Sequence, residues 1–260
     1  MLVDERREAL LGRLRADGKL IAKDLALELG LSEDSIRRDL RDLAAAGLCQ
    51  RVYGGALPAS RALADYRSRT TVESESKQHV AALAASLIKP GSRVILDGGT
   101  TTLAVVNALA PTLAATVITH SPTIAAALVE HPRIDVFLIG GQLFKHSAVT
   151  CGAAAVEAAY AISADLFLLG VTGVHPTEGL TTGDVDEAAM KRLLASRAAE
   201  TYALASREKL GAASPYKVLP LEQIAGLIFD SPPQNAVISE LASTGIQMLD
   251  ATPREVARPA

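Results

Sequence analysis

The chain has few of the residues that mark secreted, metal-bound or membrane proteins. Its only cysteines among 260 residues are Cys49 and Cys151, far apart and without a C-x-x-C partner. We therefore expect neither a disulfide framework nor a zinc site, and a reducing compartment suits the chain. The N-terminus is charged within four residues, unlike a signal peptide, and no apolar run approaches the roughly 20 residues of a membrane span. We expect a soluble cytoplasmic protein with no membrane partner.

Aromatic residues are also scarce, at 3% with no tryptophan, so aliphatic side chains and alanine must build the core. Apolar residues of all kinds make up 49% of the chain, which is enough for a large core. A chain of this length accommodates one large domain and one small domain. The net charge of −3 argues against a uniformly basic nucleic-acid binder, but it leaves room for a local basic patch.

A basic helix is predicted in the segment LSEDSIRRDLRDL, at residues 31–43. Ile36, Leu40 and Leu43 are spaced along one face of a helix, so they should be buried in a small core. The three arginines of the segment should then point outward. The exposed N-terminal end of such a helix is the part that enters the major groove of DNA in helix-turn-helix proteins.

Two more helices are predicted over residues 4–16 and 21–29, and LCQRVYGGAL predicts a hairpin with a Gly-Gly turn. Together with the basic helix they indicate a winged helix-turn-helix domain over residues 1–57. An arginine-rich helix face is usually only solvated, but the short preceding helix and the basic wing favour contact with double-stranded operator DNA. The residues expected to contact DNA are Ser32, Ser35, Arg37, Arg38, Arg41, Arg51 and Tyr53.

The rest of the chain alternates between apolar strands and helices. Residues 58–76 lack an apolar period and are predicted to be a linker, and a helix is predicted to begin at Lys77. Residues 77–250 predict a largely parallel α/β sheet that is covered on both faces. Residues 251–260 are expected to be a disordered tail.

The segment LDGGTTT, at residues 96–102, predicts an anion-binding loop. Its glycines let backbone N–H groups approach a ligand, its threonines add hydroxyls, and the following helix directs its positive N-terminal end at the same place. A tight strand-to-helix turn with a threonine cap is the alternative. Lys191 could reach a phosphate from its own helix, or it could equally be a solvated lysine.

Ligands of open α/β sheets lie beyond the carboxyl ends of strands, so small and polar residues at these ends are candidates for a binding site. The candidates are Asp97, Gly98, Gly99, Thr100, Thr101, Thr102, Thr119, His120, Ser121, Gly140, Gly141, Gly170, Thr172, Gly173 and Ser206. The five histidines have no metal-ligand spacing. Neither a metal nor a cofactor is predicted.

Several ordered motifs resemble the DeoR family of bacterial transcriptional regulators. GKLIAKDLALELGLSEDSIRRDLRDLAAAGLCQRVYGGAL resembles its N-terminal signature, and LDGGTTT, VITHS, LIGG, LLGVTGV, GLTT and the helix with Lys191 continue the similarity. The resemblance implies an effector-sensing domain related to ribose-5-phosphate isomerase and to the CoA-transferase-like fold. It also implies a repressor of a sugar-use operon that a phosphorylated sugar or related metabolite releases from DNA.

The chain departs from the usual family pattern at a few positions. Tyr53 replaces a histidine in the wing, and His120 replaces an asparagine. Where the family often has Asp-x-Ser-Lys, this chain has Ser206 and Glu208, with Lys209 kept. By this resemblance we expect a sugar phosphate on the glycine-threonine loop, with Lys191 or Lys209 adding positive charge.

The alternative function is a sugar-phosphate isomerase-like enzyme with an appended DNA-binding module. Such an enzyme needs a base beside the substrate carbon and an acid or a lysine at the carbonyl. No carboxylate-rich cluster such as Asp-Gly-Ala-Asp-Glu follows a predicted strand, which favours a binding protein over an enzyme. A third possibility, an adaptor that does not bind nucleic acid, conflicts with the predicted wing. Because one recognition helix makes few base contacts, we also expect a homodimer or a tetramer.

Overall fold

The computed structural model describes residues 2–231 and 235–253. Most of the expected disordered tail, residues 254–260, lies outside the described residues. Among the described helices, none combines the length and the apolar character that a membrane span requires.

The N-terminal part is a small helical domain with a β-wing. Its elements are α1 (Val3–Asp17), β1 (Leu20–Ile21), α2 (Ala22–Leu29), α3 (Glu33–Ala45), β2 (Cys49–Val52) and β3 (Gly55–Pro58). Strand β3 pairs antiparallel with both β1 and β2. The predicted winged helix-turn-helix is therefore confirmed, with the short strand β1 as an addition to it.

Helix α3 buries the face that the sequence predicted. Ile36, Leu40 and Leu43 are 0%, 1% and 5% exposed and lie in one core with leucines of α1 and α2. Asp39 is also buried on α3, which the apolar spacing did not predict. Its carboxylate accepts hydrogen bonds from Arg6 Nε at 2.5 Å and from Arg7 Nε at 3.3 Å, so α1 is tied to the recognition helix by charge as well as by packing.

The segment between the two domains is structured. It contains a 3₁₀ turn at Arg61–Leu63 and the short helix α4 (Tyr66–Arg69). The next helix, α5 (Ser74–Ser86), begins before Lys77, where its start was expected. The predicted linker, residues 58–76, thus contains two short elements of regular structure and the start of α5.

The C-terminal part is an open parallel sheet with helices on both faces. Its first strands and helices are β4 (Arg93–Leu96), α6 (Thr100–Asn107), β5 (Ala115–Thr119), α7 (Pro122–Leu128), β6 (Ile134–Leu138), β7 (Gln142–Phe144), β8 (Val149–Cys151), α8 (Ala153–Tyr160) and β9 (Ala164–Gly170). There follow β10 (Gly173–His175), β11 (Gly179–Thr182), α9 (Val185–Ser196), β12 (Ala198–Ala205), β13 (Tyr216–Leu219), β14 (Gly226–Phe229), α10 (Ala236–Ser243) and β15 (Gln247–Asp250).

Seven strands of the described chain form the main sheet, in the order β15-β14-β12-β9-β4-β5-β6, with parallel pairing throughout. Strand β9 shows why its sequence is apolar without interruption. Phe167 and Leu169 face one buried cluster, and Leu166 and Leu168 face the other. Both faces of the sheet are covered, so both sets of side chains must be apolar. The predicted parallel α/β sheet is confirmed.

Two small antiparallel units were not predicted: the β7–β8 hairpin and the sheet β10-β11-β13. Their strands are three or four residues long, too short for a periodic pattern to stand out. Since β4, β5, β9 and β12 run parallel, their carboxyl ends lie along one edge of the main sheet. The loops that begin at Asp97, His120, Val171 and Ser206 therefore lie along the same edge.

Candidate functional site

The outward face of α3 and the wing form one candidate site. Ser32 caps α3, and its Oγ accepts a hydrogen bond from Ser35 N at 3.2 Å. Arg37 is exposed and forms an ion pair with Glu33, one helical turn earlier, at 2.6 Å. Arg38 and Arg41 are also exposed, and neither has an ion-pair partner among the described residues. The helix therefore presents cations to solvent beside a buried apolar face.

The wing carries two more of the expected contact residues. Tyr53 is fully exposed at the hairpin tip between β2 and β3, and Arg51 is exposed on β2. The turn requires glycine at two positions. Gly54 has φ 82°, and a Cβ on Gly55 would collide with the carbonyl oxygen of Leu20. The glycines thus let the wing fold tightly against β1 and hold Arg51 and Tyr53 out in solvent.

The second candidate site is built around Asp97, at the carboxyl end of β4. This fully buried carboxylate accepts hydrogen bonds from four donors: the backbone N–H groups of Gly98 and Gly170 and the ring Nε2 of His120, each at 2.8 Å, and Lys191 Nζ. Burial by itself would raise the pKa of Asp97, but the Lys191 charge and the His120 hydrogen bond hold it at about 2. Asp97 is an ionised residue that joins β4, β5, β9 and α9.

Lys191 is occupied within the protein. Its ammonium lies against Asp97 Oδ2, at 2.9 Å from the carbonyl oxygen of Gly170 and at 3.2 Å from Glu187 Oε1. Burial opposes its charge, but the two carboxylates raise the pKa of Lys191 above its ordinary value. An ammonium has three hydrogens, and here three acceptors take them. Lys191 therefore has no free hydrogen to offer a ligand unless the network rearranges.

Lys209 is held differently. Its Nζ donates to Thr101 Oγ1 at 2.9 Å, and its other acceptor, the carbonyl oxygen of Leu204, is 3.4 Å away. Burial lowers the pKa of Lys209 to about 8, and the charges of Lys77 and Arg69 act in the same direction against the opposing effect of Glu208. Lys209 is therefore a buried cation at the N-terminal end of α6 with only one close hydrogen-bond acceptor.

These groups line a narrow, partly open pocket with a cavity volume of about 20 Å³. Nine of the residues expected to bind an effector line it: Gly98, Gly99, Thr100, Thr101, Thr102, Gly170, Thr172, Lys191 and Lys209. The sheet edge has brought together loops that are far apart in sequence.

The other expected residues do not line the cavity. Thr119, His120 and Ser121 are buried beneath it, and Ser121 Oγ donates to the carbonyl oxygen of Ala148 at 3.1 Å. Gly140 and Gly141 are exposed at the start of the β7–β8 hairpin. Gly173 is packed so closely that a Cβ would collide with the carbonyl oxygen of Ala212.

Three cavity-lining residues that were not among the expected binding residues carry buried polar atoms without partners in the described structure. They are Arg69, through Nε and Nη2, Thr182, through Oγ1, and Glu208, through Oε2. Such atoms are rare in folded proteins, because each costs the desolvation energy of a polar group. All three lie on one cavity, which is what a binding site for a polar ligand requires.

Arg69 lay in a region that sequence analysis treated as a linker. A local signal was available, since Asp65 Oδ1 accepts a hydrogen bond from Ser68 N at 2.8 Å and thereby caps α4. Aspartate is itself among the preferred residues at such a cap. It would have predicted a helical turn there, although not that the turn lies at the cavity.

Family models match both parts of the chain. Residues 72–231 match the DeoR C-terminal sensor domain, and residues 6–62 match the DeoR-like helix-turn-helix domain. The chain belongs to the DeoR family. It is therefore a DNA-binding transcriptional regulator rather than an enzyme, and the isomerase-like alternative is not supported.

Relatives of this DeoR-family chain match it along nearly its whole length. It is 33% identical over 251 residues to the HTH-type transcriptional repressor GlcR of Bacillus subtilis, covering 96% of each chain. It is 28% identical over 249 residues to the putative aga operon transcriptional repressor of Escherichia coli O157:H7, covering 94% and 93%. Among solved structures, ribose 5-phosphate isomerase A of Methanocaldococcus jannaschii aligns with a TM-score of 0.40 at 17% identity, over 53% of this chain and 54% of that chain.

The departure from the usual DeoR pattern after β12 forms a single contact. Ser206 stands at the position of the expected aspartate, and Glu208 stands at the position of the expected serine. Ser206 Oγ donates a hydrogen bond to Glu208 Oε1 at 2.8 Å. The carboxylate is therefore shifted by two positions along the chain rather than lost. Its second oxygen is the unpartnered atom at the cavity.

Proposed function

We propose that this DeoR-family regulator represses a carbohydrate-utilisation operon and that a phosphorylated sugar or related metabolite releases it from its operator. The observation that carries the proposal is the excess of positive charge at the cavity. Among the outer lining residues, the three cations Arg69, Lys77 and Lys209 lie with one carboxylate, Glu208. A phosphate monoester carries about −1.5 to −2 at neutral pH and would be attracted to this excess of cations.

The inner groups are paired with one another within the protein. Lys191 is shared by Asp97 and Glu187. The ring of His120 lies 2.8 Å from Asp97 Oδ1 through Nε2 and 3.0 Å from the carbonyl oxygen of Thr150 through Nδ1. In this proposal the inner network positions the loops, and the outer residues meet the charge of the ligand.

Backbone geometry supports a phosphate at the start of α6. The first hydrogen bond within this helix runs from Leu103 N to the carbonyl oxygen of Gly99 at 3.0 Å. The N–H groups of Thr100, Thr101 and Thr102 come before it and have no partner inside the helix. Free amides and the positive end of the helix dipole suit an anion, and Lys209 adds a full charge at the same end.

The remainder of the ligand should carry hydroxyl groups. Glu208 Oε2 needs a donor and Thr182 Oγ1 needs a partner, and a hydroxyl satisfies either one. A carbon chain with a phosphate at one end and hydroxyls along it is a sugar phosphate or a polyol phosphate. The name of one relative, the glycerol-3-phosphate regulon repressor of Escherichia coli K12, contains such a compound, and this relative is 25% identical over 245 residues, covering 94% of this chain and 97% of that chain.

On the DNA side, Ser35, Arg37 and Arg38 would enter the major groove or contact its phosphates, and Arg41 and Arg51 would contact the backbone. Ser32 and Tyr53 flank these groups on α3 and on the wing. A homodimer or a tetramer would read paired half-sites about 34–36 Å apart or a multiple of that distance. Light scattering that finds only monomer at concentrations that saturate the operator would contradict the oligomer.

The experiment for the whole scheme is a melting-temperature screen of phosphorylated sugars and polyols, compared with inorganic phosphate. Thr101→Glu places a carboxylate at the phosphate position, and Thr112→Glu makes the same change at an exposed loop as the control. We expect a compound that stabilises the wild type and Thr112→Glu but not Thr101→Glu, and that weakens operator binding. Stabilisation that survives in Thr101→Glu would exclude this site.

A further inference from the structure

We infer that Arg69 is a ligand-binding residue supplied by the chain segment between the two domains, and that binding of a phosphate-bearing ligand fixes this segment against the sensor domain. The segment is defined here as the bridging segment, residues 59–72. The inference rests on the proposed effector site and adds to it the route by which that site acts on the DNA-binding domain.

The bridging segment contacts the sensor domain from its first residue. Strand β3 of the wing ends at Pro58, and the next residue, Ala59, already pairs with Ala213 of the sensor domain. Ser60 is buried, and its Oγ donates to the carbonyl oxygen of Thr172, a residue that lines the cavity. No flexible connection therefore separates the wing from the sensor domain, and a shift of the bridging segment must move β3 as well.

A second attachment lies at the turn of the β7–β8 hairpin. His146 Nε2 is 3.0 Å from the carbonyl oxygen of Leu63, and Tyr66 N donates to the carbonyl oxygen of His146 at 2.9 Å. The next residue along the hairpin, Ser147, donates to Glu187 Oε2 at 3.1 Å. The bridging segment thus reaches the inner carboxylates through one short turn.

The third attachment is incomplete, and it is at the cavity. Lys77 Nζ donates to the carbonyl oxygen of Arg69 at 2.6 Å, which fixes the backbone of α4 at its last residue. The guanidinium of Arg69 lines the cavity, but its buried Nε and Nη2 have no acceptor among the described residues. Leaving a buried cation without acceptors is unfavourable.

A phosphate at the start of α6 would supply these acceptors. Arginine offers parallel N–H groups that match two oxygens of one phosphate. The ligand would then contact α6 of the sensor domain and α4 of the bridging segment at once. A ligand changes DNA affinity only if it favours one arrangement of the domains over the other, and a contact to both sides of a junction provides that difference.

The test measures backbone hydrogen exchange in the full-length protein, with saturating inorganic phosphate against chloride at equal ionic strength. Arg69→Gln removes the charge, and Arg67→Gln makes the same change at an exposed position of the same helix. In the wild type and in Arg67→Gln we expect phosphate to slow exchange both at residues 97–103 and in the bridging segment. In Arg69→Gln only residues 97–103 should be protected, and the half-saturating phosphate concentration should rise about 10-fold or more.

The outcomes separate the two levels of the proposal. Protection at residues 97–103 with an unchanged bridging segment in the wild type would overturn the inference and leave the phosphate site standing. The inference would also be overturned if phosphate protects the bridging segment in Arg69→Gln to the same extent as in the wild type. No protection at residues 97–103 would remove the phosphate site itself and the inference with it. Loss of binding to a DNA fragment selected from random sequence on addition of phosphate should likewise persist in Arg67→Gln and disappear in Arg69→Gln.

Discussion

Lys209 donates a hydrogen bond from its buried Nζ to Thr101 Oγ1 at 2.9 Å, although 108 residues separate the two in sequence. Thr101 lies in the first turn of α6 after β4, and Lys209 follows β12. Strand β9 lies between those two strands in the sheet. The parallel order brings both loops to one edge, and this contact places an ammonium beside free helix amides. Several measurable properties depend on it.

Effector binding should take up protons near pH 8. The pKa of Lys209 is about 8, and a bound anion should raise it. Binding at pH 8 therefore protonates the fraction of Lys209 that was neutral, and affinity should fall as the pH rises above 8. Calorimetric titration with phosphate in buffers of different ionisation enthalpy measures the proton uptake. An exposed-lysine control, Lys89→Gln, should behave as wild type, and a heat independent of the buffer would contradict the role of Lys209.

Replacing Lys209 with methionine should stabilise the empty protein. The pKa of Lys209 is lowered in the folded state, from 10.5 to about 8, so below pH 8 the folded state holds a charge that burial opposes. The variant removes this cost, and we expect a gain of roughly 1–3 kcal/mol at pH 7. The gain should shrink between pH 8 and 10.5, where the wild-type lysine becomes neutral on folding. Denaturant unfolding at pH 7 and pH 10 measures both values, and equal stability at pH 7 would count against the prediction.

Asp97→Asn should be strongly destabilising. It leaves the buried Lys191 with one carboxylate instead of two, and breaking a buried ion pair costs about 3–5 kcal/mol. Asp165→Asn is the control, because this exposed carboxylate also accepts a backbone N–H bond, from Arg93 at 2.7 Å. It should cost less than about 1 kcal/mol. The double variant Asp97→Asn/Lys191→Met should recover part of the loss, and a fully additive loss would show that the two residues do not interact.

The buried carboxylate of Asp97 also predicts how the stability of the protein responds to acid. The folded-state pKa of Asp97 is lowered from 3.8 to about 2, so its contribution to stability is complete above about pH 4 and is lost as the pH falls through 2. Wild-type unfolding free energy should therefore decline towards pH 2 more steeply than that of the Asp97→Asn/Lys191→Met variant. Parallel curves for the two proteins between pH 4 and 2 would contradict the assignment.

The arginines of α3 should differ in their effects on DNA binding. Loss of an arginine that contacts a guanine should cost about 1–3 kcal/mol and relax specificity at that base. Loss of a phosphate contact should weaken all sequences alike and reduce the salt dependence. Arg37→Ala and Arg38→Ala should each fall into one of these classes, whereas Arg15→Ala, on the exposed last turn of α1, should not weaken binding. Wild-type affinity in both α3 variants would show that this helix does not contact the operator.

The sequence was most informative where structure depends on neighbours along the chain. The spacing of Ile36, Leu40 and Leu43, the cap at Ser32 and the Gly-Gly turn of the wing are all local, and they predicted the DNA-binding domain correctly. Uninterrupted apolar strands predicted a sheet covered on both faces for the same reason. The motif after β4 likewise marked the residues that line the cavity.

The sequence could not specify which charges are used and which are free. Lys191 and Lys209 are both lysines near a predicted ligand edge. Lys191 is paired with Asp97 and Glu187, whereas burial and the charges of Lys77 and Arg69 outweigh the one carboxylate near Lys209, Glu208. That difference depends on the order of strands in the sheet, which brings distant carboxylates to one lysine and withholds them from the other. Local patterns determined the two domains and the loop of the candidate site. Only the tertiary structure placed Arg69 of the bridging segment at the cavity, because that contact depends on where the chain folds back.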